Sequence, residues 1–504
     1  MENSFLDNLK RETNYTLTEN GGVTHKSTLN AVYDMFALGG AYRSRSDDDC
    51  ILLFKKALEE DEALALKCLF YLRDIRGGQG ERRFFRVCFN WLAKEYPELA
   101  FRNLDNIPEY GRWDDLYCVK ETPLENDAFD VMSCQLHKDM NSLMESPKEG
   151  VSLLAKWLKS ENASSIETKK LGNKTRQYLG WSHKKYRKIL SALRTRINIV
   201  EKLMSEGKWE EIEFAKLPSK AGLIYRNAFA HNDLIKDKYA DFINNKETKV
   251  NTATLYPYDI VKKVTNTFDY WKETKLEPTE RETLNKYWKN QKDYLNGKPC
   301  KMMCVVDTSA SMDSTYGTSI KPIDVAISLG MYCGERIGEP FKNYFISFSS
   351  RPQLIEIEGI DFCDKVKRIY RQNLCENTDL KAVFDMLLNM YKEGKVKIED
   401  MPEQLVIISD MEIDQGSYWR DSYRRQTDME ILHNQWEEAG VKMPSLIYWN
   451  VSARQNNILD DPKNKNITFV SGCSPIIFDS VLTGKNGIQL MLEKLNSERY
   501  SKVQ

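Results

Sequence analysis

Apolar residues recur every three to four positions through the first half of the chain, as on one face of an amphipathic helix. The segments LLFKKALEEDEALALKCLFYLRDIRGG and ERRFFRVCFNWLAKEYPELAFRNLDNIPEYG show this spacing, and Gly77-Gly78, Pro108 and Gly111 interrupt it. The pattern resumes in VSLLAKWLKS and in WSHKKYRKILSALRTRINIVEKLMSEG. Successive amphipathic helices joined by short loops predict a helical repeat domain, an α-solenoid, over residues 28–245.

The periodicity changes near Lys298. An apolar run, KMMCVVD, opens a series in which strand-like segments (KNYFISFSS, QLVIISD, SLIYWNV and NITFVSG) alternate with amphipathic helical segments. Such alternation predicts a doubly wound parallel sheet over residues 298–504. Residues 246–297 are rich in Lys, Asn, Glu and Thr and are interpreted as a connector. The expected fold class is therefore α plus α/β.

Oxygen-bearing side chains lie where three segments of the predicted sheet domain end or begin. Asp307, Ser309 and Ser311 leave the first strand, Thr378 precedes a helix, and Asp410 directly follows QLVIIS. Because ligands of such sheets bind outside the carboxyl ends of the strands, these side chains are expected to converge. Carboxylates and hydroxyls suit a hard cation, so we predict one Mg²⁺, with Mn²⁺ or Ca²⁺ as alternatives.

This donor set supplies at most five protein ligands, whereas Mg²⁺ prefers six. One position is therefore expected to remain for water or for a carboxylate donated by a protein partner. Glu412 and Asp414 follow Asp410 closely and are interpreted as solvated loop acids; the alternative is that they tune the metal site.

No catalytic constellation is found in the sequence. A Walker A loop is absent, as is a GxGxxG turn that opens a helix after a strand. Ser309 occupies the position where a haloacid-type phosphatase needs a second Asp, and the five His residues have no obvious Ser or Cys partner. We therefore expect a protein that is not an enzyme.

Residues 169–202 carry eleven basic side chains and a single acid, Glu201, in a chain whose formal net charge is −1. Such a face can neutralise phosphates, and Tyr178 and Trp181 could stack on unpaired bases. The alternative is a solvated helix face paired with acids such as Glu210, Glu211 and Glu213. The candidate RNA-binding residues are Lys169, Lys170, Lys174, Arg176, Lys184, Lys185, Arg187, Lys188, Arg194 and Arg196.

Two further segments could be functional or structural. In the segment from Arg73 to Arg83, four arginines surround glycines that permit close backbone approach. It could be a turn that contacts phosphates, but we interpret it as a tight inter-helix corner with Arg–Asp pairing. Gly111 to Asp115 is interpreted as a helix start whose acids favour the helix dipole.

Cysteine usage indicates a reducing compartment. The eleven Cys form no CxxC pair and match no zinc framework, so buried free thiols are expected. The first residues, MENSFLDNLKRETNYT, resemble neither a signal nor a transit peptide. No apolar run approaches about 18 residues, so no membrane span is predicted. These features favour a cytoplasmic protein.

Several motifs together resemble the TROVE-plus-vWA proteins, the group that includes the Ro autoantigen and its bacterial relatives. They are LRDIRGGQGERRFFR, IPEYGRWDDL, the basic segment, LPSKAGLIYRNAFAHND and a DTSAS-type A domain. The resemblance covers about residues 30–240 and 298–500. It is strongest to a TROVE-like subfamily that is labelled only as a domain of unknown function.

The resemblance implies a ring of HEAT-like repeats closed by a von Willebrand factor A domain. It also implies a metal-ion-dependent adhesion site (MIDAS) formed by Asp307, Ser309, Ser311, Thr378 and Asp410. Ro proteins bind single-stranded RNA ends and structured small RNAs. We therefore expect a non-enzymatic RNA-binding scaffold of ribonucleoprotein type; the alternative is a metal-dependent protein–protein adhesion module without RNA binding.

Overall fold

The computed structural model describes residues 4–145, 150–268, 274–295, 300–348, 351–372, 377–414, 427–461, 463–481 and 485–504. Short α-helices follow one another up to Lys289, and a small hairpin of strands β1 (Tyr15–Leu17) and β2 (Val23–His25) lies between the first two of them. The helices are α1 (Ser4–Glu12), α2 (Ala31–Leu38), α3 (Asp47–Glu60), α4 (Glu62–Arg73), α5 (Arg82–Glu95), α6 (Pro97–Arg102), α7 (Ile107–Tyr110), α8 (Glu125–Glu145), α9 (Leu154–Trp157), α10 (Ile166–Tyr178), α11 (His183–Arg196), α12 (Val200–Ser205), α13 (Ser219–His231), α14 (Lys236–Asn244), α15 (Pro257–Thr265) and α16 (Pro278–Lys289).

Polar residues fix where several of these helices begin. The Ser46 side chain accepts a hydrogen bond from the Asp49 backbone and starts α3, and Asp61 does the same for α4 through Leu64. Ser182 starts α11 by accepting from the backbone of Lys185. These caps satisfy N–H groups that have no partner within the helix, and each contributes about 1 kcal/mol.

The C-terminal part contains strands β3 (Met302–Asp307), β4 (Tyr344–Phe348), β5 (Gln353–Glu356), β6 (Gln404–Ser409), β7 (Ser445–Asn450) and β8 (Ile467–Ser471). Its helices are α17 (Pro322–Arg336), α18 (Phe362–Arg371), α19 (Leu380–Lys392), α20 (Asp428–Glu438), α21 (Ile477–Val481) and α22 (Gly487–Leu495). The strands form one sheet in the order β5-β4-β3-β6-β7-β8, in which β5 alone is antiparallel to its neighbour.

The central strands of this sheet are buried on both faces, so their sequences are nearly continuous apolar runs. Val305 of β3 lies opposite Ile346 of β4 on one side and Ile407 of β6 on the other. The helix α17, which follows β3, is buried along almost its whole length. The expected combination of a helical part with a parallel-rich sheet is confirmed.

Both ends of the helical part contact the sheet domain. At the first end, α2 packs on β8, and the Tyr33 hydroxyl accepts a hydrogen bond from the backbone N of Phe469 at 2.8 Å. At the other end, α15 and α16 pack on α17 and α18. The Tyr256 hydroxyl also donates to the carbonyl of Gln79 at 3.0 Å. The two ends of the helical part are therefore held next to each other.

The arginine-rich segment after α4 is a buried corner. The Asp115 carboxylate accepts hydrogen bonds from Arg73 at 2.6 and 2.8 Å and from Arg86 at 2.6 Å, and Arg73 and Asp115 are almost fully buried. A Cβ on Gly78 would lie 1.9 Å from the carbonyl oxygen of Tyr71, so only glycine permits this approach. The prediction of a corner with Arg–Asp pairing is confirmed.

Asp115 also accepts from the Arg112 backbone N at 2.9 Å at the start of the short 3-10 helix Trp113–Val119. The acids at Gly111 to Asp115 therefore do lie at a helix start. Their main partners, however, are the neighbouring cations Arg73, Arg86 and Lys159 rather than the helix dipole.

The cysteines of the described residues are free thiols, and most of them are buried, as expected. Across the same residues, we find no helix whose length and apolar character would let it span a bilayer.

Candidate metal centre and nucleic-acid interface

The metal-site candidates lie between β3 and β6, where the order in which the chain adds strands to the sheet reverses. From β3 the chain proceeds through β4 to β5 on one side, whereas β6, β7 and β8 follow on the other. Asp307 ends β3, and Asp410 directly follows β6. Open α/β sheets bind ligands at such a reversal, outside the carboxyl ends of the strands. The two carboxylates therefore lie where the topology creates a crevice.

The Asp307 carboxylate is fully buried and held from two sides. One oxygen accepts a hydrogen bond from the Ser309 backbone N at 2.9 Å, and the other accepts from the Ser409 hydroxyl at 2.6 Å. The hydroxyls of Ser309 and Ser311 lie 3.0 Å apart. Asp307, Ser309 and Ser311 therefore belong to one connected network, and Ser409, the neighbour of Asp410, joins it to the loop after β6.

Thr378 is buried on the loop before α19. Its backbone N donates to the Asp414 carboxylate at 2.8 Å, and the Asp414 backbone N donates to the Thr378 carbonyl at 3.0 Å. This reciprocal pair ties the Thr378 loop to the loop that carries Asp410. All five predicted residues therefore lie on three connected loops at the same edge of the sheet.

The loop after β6 has an unusual backbone. Met411, between Asp410 and Glu412, adopts the left-handed conformation with φ 64°, which side chains other than glycine rarely adopt. The Ser409 hydroxyl accepts from the Met411 backbone N at 2.9 Å, and Asp410 accepts from the Glu412 backbone N at 3.1 Å. These bonds stabilise a strained conformation in the loop that carries Asp410.

The charges at this edge are poorly balanced within the protein. Burial, together with repulsion from Asp410, raises the pKa of Asp307 to about 7. Burial also raises the pKa of Asp410, although the Arg454 guanidinium opposes the shift. A divalent cation would neutralise this repulsion, and the donor set of carboxylates and hydroxyls is the one that Mg²⁺ prefers. The residues present therefore fit the expected cation.

Glu412 is not the solvated loop acid that we expected, and that interpretation was wrong. Its side chain is fully buried, because the chain segment around Glu19 covers it, and one oxygen accepts from the Glu19 backbone N at 2.7 Å. The other oxygen has no hydrogen-bond partner among the described residues. Burial raises the pKa of Glu412 to about 7. Asp414 is half-buried and bonded to Thr378.

Sequence reasoning also missed Arg454 and Glu19. Arg454 donates to the Asp410 carboxylate at 3.0 Å, forms an ion pair with Glu19, and places its guanidinium carbon 4.8 Å from the centroid of the Tyr316 ring. Arg454 comes shortly after β7, and this position beyond the carboxyl end of a strand could have placed it near the candidate site. Glu19 lies hundreds of residues away along the chain, and no local pattern indicates its position.

The basic segment folds into α10, α11 and the turn between them, and two of its arginines are committed to the fold. Arg194 donates to the carbonyls of Ala155 at 2.8 Å and Leu158 at 3.0 Å. Arg176 pairs with the buried Glu161 at 2.7 Å and donates to a neighbouring carbonyl. These two guanidinium groups anchor the helices and are not available to phosphates.

The two aromatic residues of this segment differ. Trp181 is buried, and the Lys185 ammonium lies 4.7 Å from its ring centroid, so Trp181 cannot stack on a base as suggested. Tyr178 is partly exposed, and its ring centroid lies 5.1 Å from that of Phe129. A single exposed ring therefore remains for stacking in this segment.

Most of the remaining basic residues are exposed. Lys174 is exposed but pairs with Glu125 at 2.6 Å, whereas Glu213, one of the acids considered as a partner, pairs with Lys216. Arg196 is half-exposed near the end of α11. The exposed cations without an ion pair among the described residues are Lys169, Lys170, Lys184, Lys185, Arg187 and Lys188. These six residues lie on the consecutive helices α10 and α11 and are together called the α10–α11 surface.

Family models match most of the chain. Residues 301–502 match a domain of unknown function, DUF7788. Residues 18–119 and 158–298 match a second domain of unknown function, DUF2828. Both models describe domains of unknown function, and neither is a TROVE or von Willebrand factor A model.

The chain is also similar to individual proteins. It is 27% identical over 522 residues to the uncharacterized protein L728 of Acanthamoeba polyphaga mimivirus. The aligned region covers 96% of this chain and 87% of that relative. The crystal structure of the Deinococcus radiodurans Ro (RSR) protein is similar with a TM-score of 0.47 and 14% sequence identity. That similarity covers 93% of this chain and 99% of the Ro chain.

Proposed function

We propose that this protein is a non-enzymatic RNA-binding scaffold whose sheet domain holds one divalent cation, Mg²⁺ in the simplest case. The α10–α11 surface carries the RNA-binding part of the proposal. Its six exposed cations lack acidic partners among the described residues, whereas Arg176 of the same segment pairs with the buried Glu161. Unpaired cations on adjacent helices bind phosphates by releasing the counterions of the nucleic acid.

Salt dependence tests this proposal directly. We would measure the affinity of a fluorescent single-stranded RNA by anisotropy at several salt concentrations, with nuclease-treated protein. Reversing Lys184, Lys185, Arg187 and Lys188 to Glu should weaken binding and flatten the slope of log affinity against log salt by about 3, at about 0.7 per phosphate contact.

The matched control reverses four exposed lysines of the sheet domain, Lys392, Lys395, Lys397 and Lys442, by the same number of charges. It should leave both the affinity and the slope nearly unchanged. Equal losses in the two variants would mean that overall charge, not the α10–α11 surface, determines binding. Unchanged binding after reversal in α11 would remove this surface from the proposed function.

The cation proposal rests on Asp307 and Asp410, two buried carboxylates that repel each other, together with the neighbouring hydroxyls of Ser309 and Ser311 and the buried Thr378 on the adjoining loop. The bound cation would supply a positive centre with an open coordination position. Binding of Mn²⁺, followed by calorimetry and by its paramagnetic resonance signal, should be lost in Asp307→Ala. It should be retained in Asp400→Ala, an exposed acid of the same domain.

A second candidate function uses the same cation. Its position outside the carboxyl ends of the strands favours capture of a protein partner through an Asp or Glu carboxylate, which would complete the coordination. This function predicts partner binding that requires Mg²⁺ and is lost in Asp307→Ala, with no contribution from the cations of the α10–α11 surface. RNA binding, by contrast, should persist in the presence of a chelator.

A further inference from the structure

The N-terminal hairpin, residues 14–25, lies across the loop that carries Asp410. The Thr18 hydroxyl donates to the Ile413 carbonyl at 2.7 Å, and the Asn20 side chain donates to the Glu412 carbonyl at 2.7 Å. Gly21 forms an antiparallel bridge with Asp414. The residues that follow Asp410 are therefore covered by the hairpin.

The other strand of the hairpin is fixed beyond β7. His25 and Ile458 exchange two backbone hydrogen bonds of 3.0 Å, and the Thr24 hydroxyl donates to the Ile458 carbonyl at 2.8 Å. A Cβ on Gly22 would lie 2.9 Å from the Ile413 carbonyl oxygen, so the hairpin and the loop are in close backbone contact. The hairpin thus spans from the loop after β6 to the segment after β7.

Arg454 connects this hairpin to the proposed cation site. One of its terminal nitrogens donates to the Asp410 carboxylate at 3.0 Å, and the other pairs with Glu19 at the tip of the hairpin. The Arg454 side chain is 14% exposed and Asp410 is fully buried, so little water is present to weaken the attraction. The same carboxylate therefore serves a hairpin contact and the proposed cation.

We propose that the N-terminal hairpin is a built-in cover of the cation site, latched by Arg454, and that cation binding and hairpin docking oppose each other. This inference rests on the proposed cation site. Arg454 and a divalent cation draw on the same Asp410 carboxylate, and both are positive, so each weakens the binding of the other. Because such coupling is reciprocal, a cation that loosens the hairpin must bind more tightly once the latch is removed.

Cation affinity provides the first test. Titration calorimetry with Mg²⁺ on the full chain should show about tenfold tighter binding in Arg454→Gln than in wild type, within the usual range of coupling between two sites. Arg454→Lys, which keeps the charge but cannot bridge two carboxylates, should give an intermediate affinity. Arg281→Gln removes a comparable ion pair, with Asp361, far from the site and should match wild type.

Hydrogen exchange of the hairpin provides the second test. In wild type, saturating Mg²⁺ should speed exchange of the Glu19 amide, which donates to Glu412, and of the His25 amide, which donates to Ile458. In Glu19→Gln these amides should already exchange faster without Mg²⁺, and adding Mg²⁺ should change them little. Circular dichroism would establish that each variant keeps its fold.

The outcomes separate the two proposals. The latch proposal is wrong if a folded Arg454→Gln variant binds Mg²⁺ no more tightly than wild type. It is also wrong if Mg²⁺ does not change the hydrogen-exchange rates of the hairpin amides in wild type. If neither wild type nor Arg454→Gln binds Mg²⁺ or Mn²⁺, the proposed cation site itself fails, and the latch fails with it.

Discussion

When metal ions are removed by a chelator, the sheet domain should become less stable as the pH rises from about 4 to about 7. The substitution Asp307→Asn should recover much of this lost stability. Burial and the neighbouring Asp410 raise the pKa of Asp307 from an ordinary value of 3.8 to about 7. The folded protein therefore holds this proton more tightly than the unfolded chain does. Between the two pKa values, stability must fall as the pH rises.

The magnitude follows from the two pKa values. A tenfold change in proton affinity corresponds to about 1.4 kcal/mol, so ionising Asp307 costs the folded state about 4 kcal/mol at pH 7.5. In a domain of this size, 1 kcal/mol shifts the melting temperature by about 2–4 °C, which gives roughly 8–16 °C. The contribution of Asp307 to the stability of the fold should be greatest below about pH 4, and the loss of stability caused by its ionisation should level off above about pH 7.

The amide of Asn keeps the size of the carboxylate without its charge. In the presence of chelator, Asp307→Asn should therefore melt about 10 °C above wild type at pH 7.5 and closer to wild type at pH 5. A residual pH dependence should remain, because burial also raises the pKa of Glu412 to about 7. Asp400→Asn is the control, since Asp400 is exposed.

Scanning calorimetry at pH 5 and pH 7.5, with chelator or with Mg²⁺, measures these effects. Saturating Mg²⁺ should raise the melting temperature of wild type at pH 7.5 and leave Asp307→Asn unaffected. If Asp307→Asn shows the same pH-dependent loss as wild type, repulsion at this carboxylate is not its cause, and the electrostatic argument for a cation is wrong.

Two further substitutions test the packing of the helical part and its contact with β8. Asp115→Asn leaves two guanidinium groups without their buried carboxylate. It should lower the free energy of unfolding, measured in urea, by about 3–5 kcal/mol. The control Glu109→Gln, at an exposed ion pair with Lys502, should lower it by less than about 1 kcal/mol. Gly40→Ala places a Cβ 2.9 Å from the backbone carbonyl oxygen of a β8 residue and should cost about 1–3 kcal/mol; Gly150→Ala, with no atom within 4 Å of its Cβ, should be nearly neutral by the same measurement.

The sheet and its site were largely predictable because local patterns specify them. The run before Asp307 and the run before Asp410 are apolar and short, as buried parallel strands are, and the polar residue that ends each run marks a carboxyl end. Asp307 and Asp410 could thus be placed at the same edge of the sheet, whereas the pairing of β3 with β6, which makes them neighbours, is visible only in the structure.

The environment of the site could not be predicted in this way. The strands of the N-terminal hairpin have three residues each, which is too short for an alternating pattern, and their partners lie hundreds of residues away. Glu412 is buried only because this hairpin covers it, so its local sequence still resembles a solvated loop. The same limit applies to Trp181, which fills the space beside α11 instead of facing solvent.

The contact between α2 and β8 has a consequence for the order in which the protein can fold as it is synthesised. Tyr33 leaves the ribosome early, yet its buried hydroxyl bonds to Phe469, which is 436 residues further along the chain. At about 5–20 residues per second, the apolar face of α2 waits roughly 20–90 s for its partner. During that interval α2 exposes an apolar surface on which the nascent chain can aggregate or bind chaperones. Completion of β8 therefore sets the time at which α2 is protected from both.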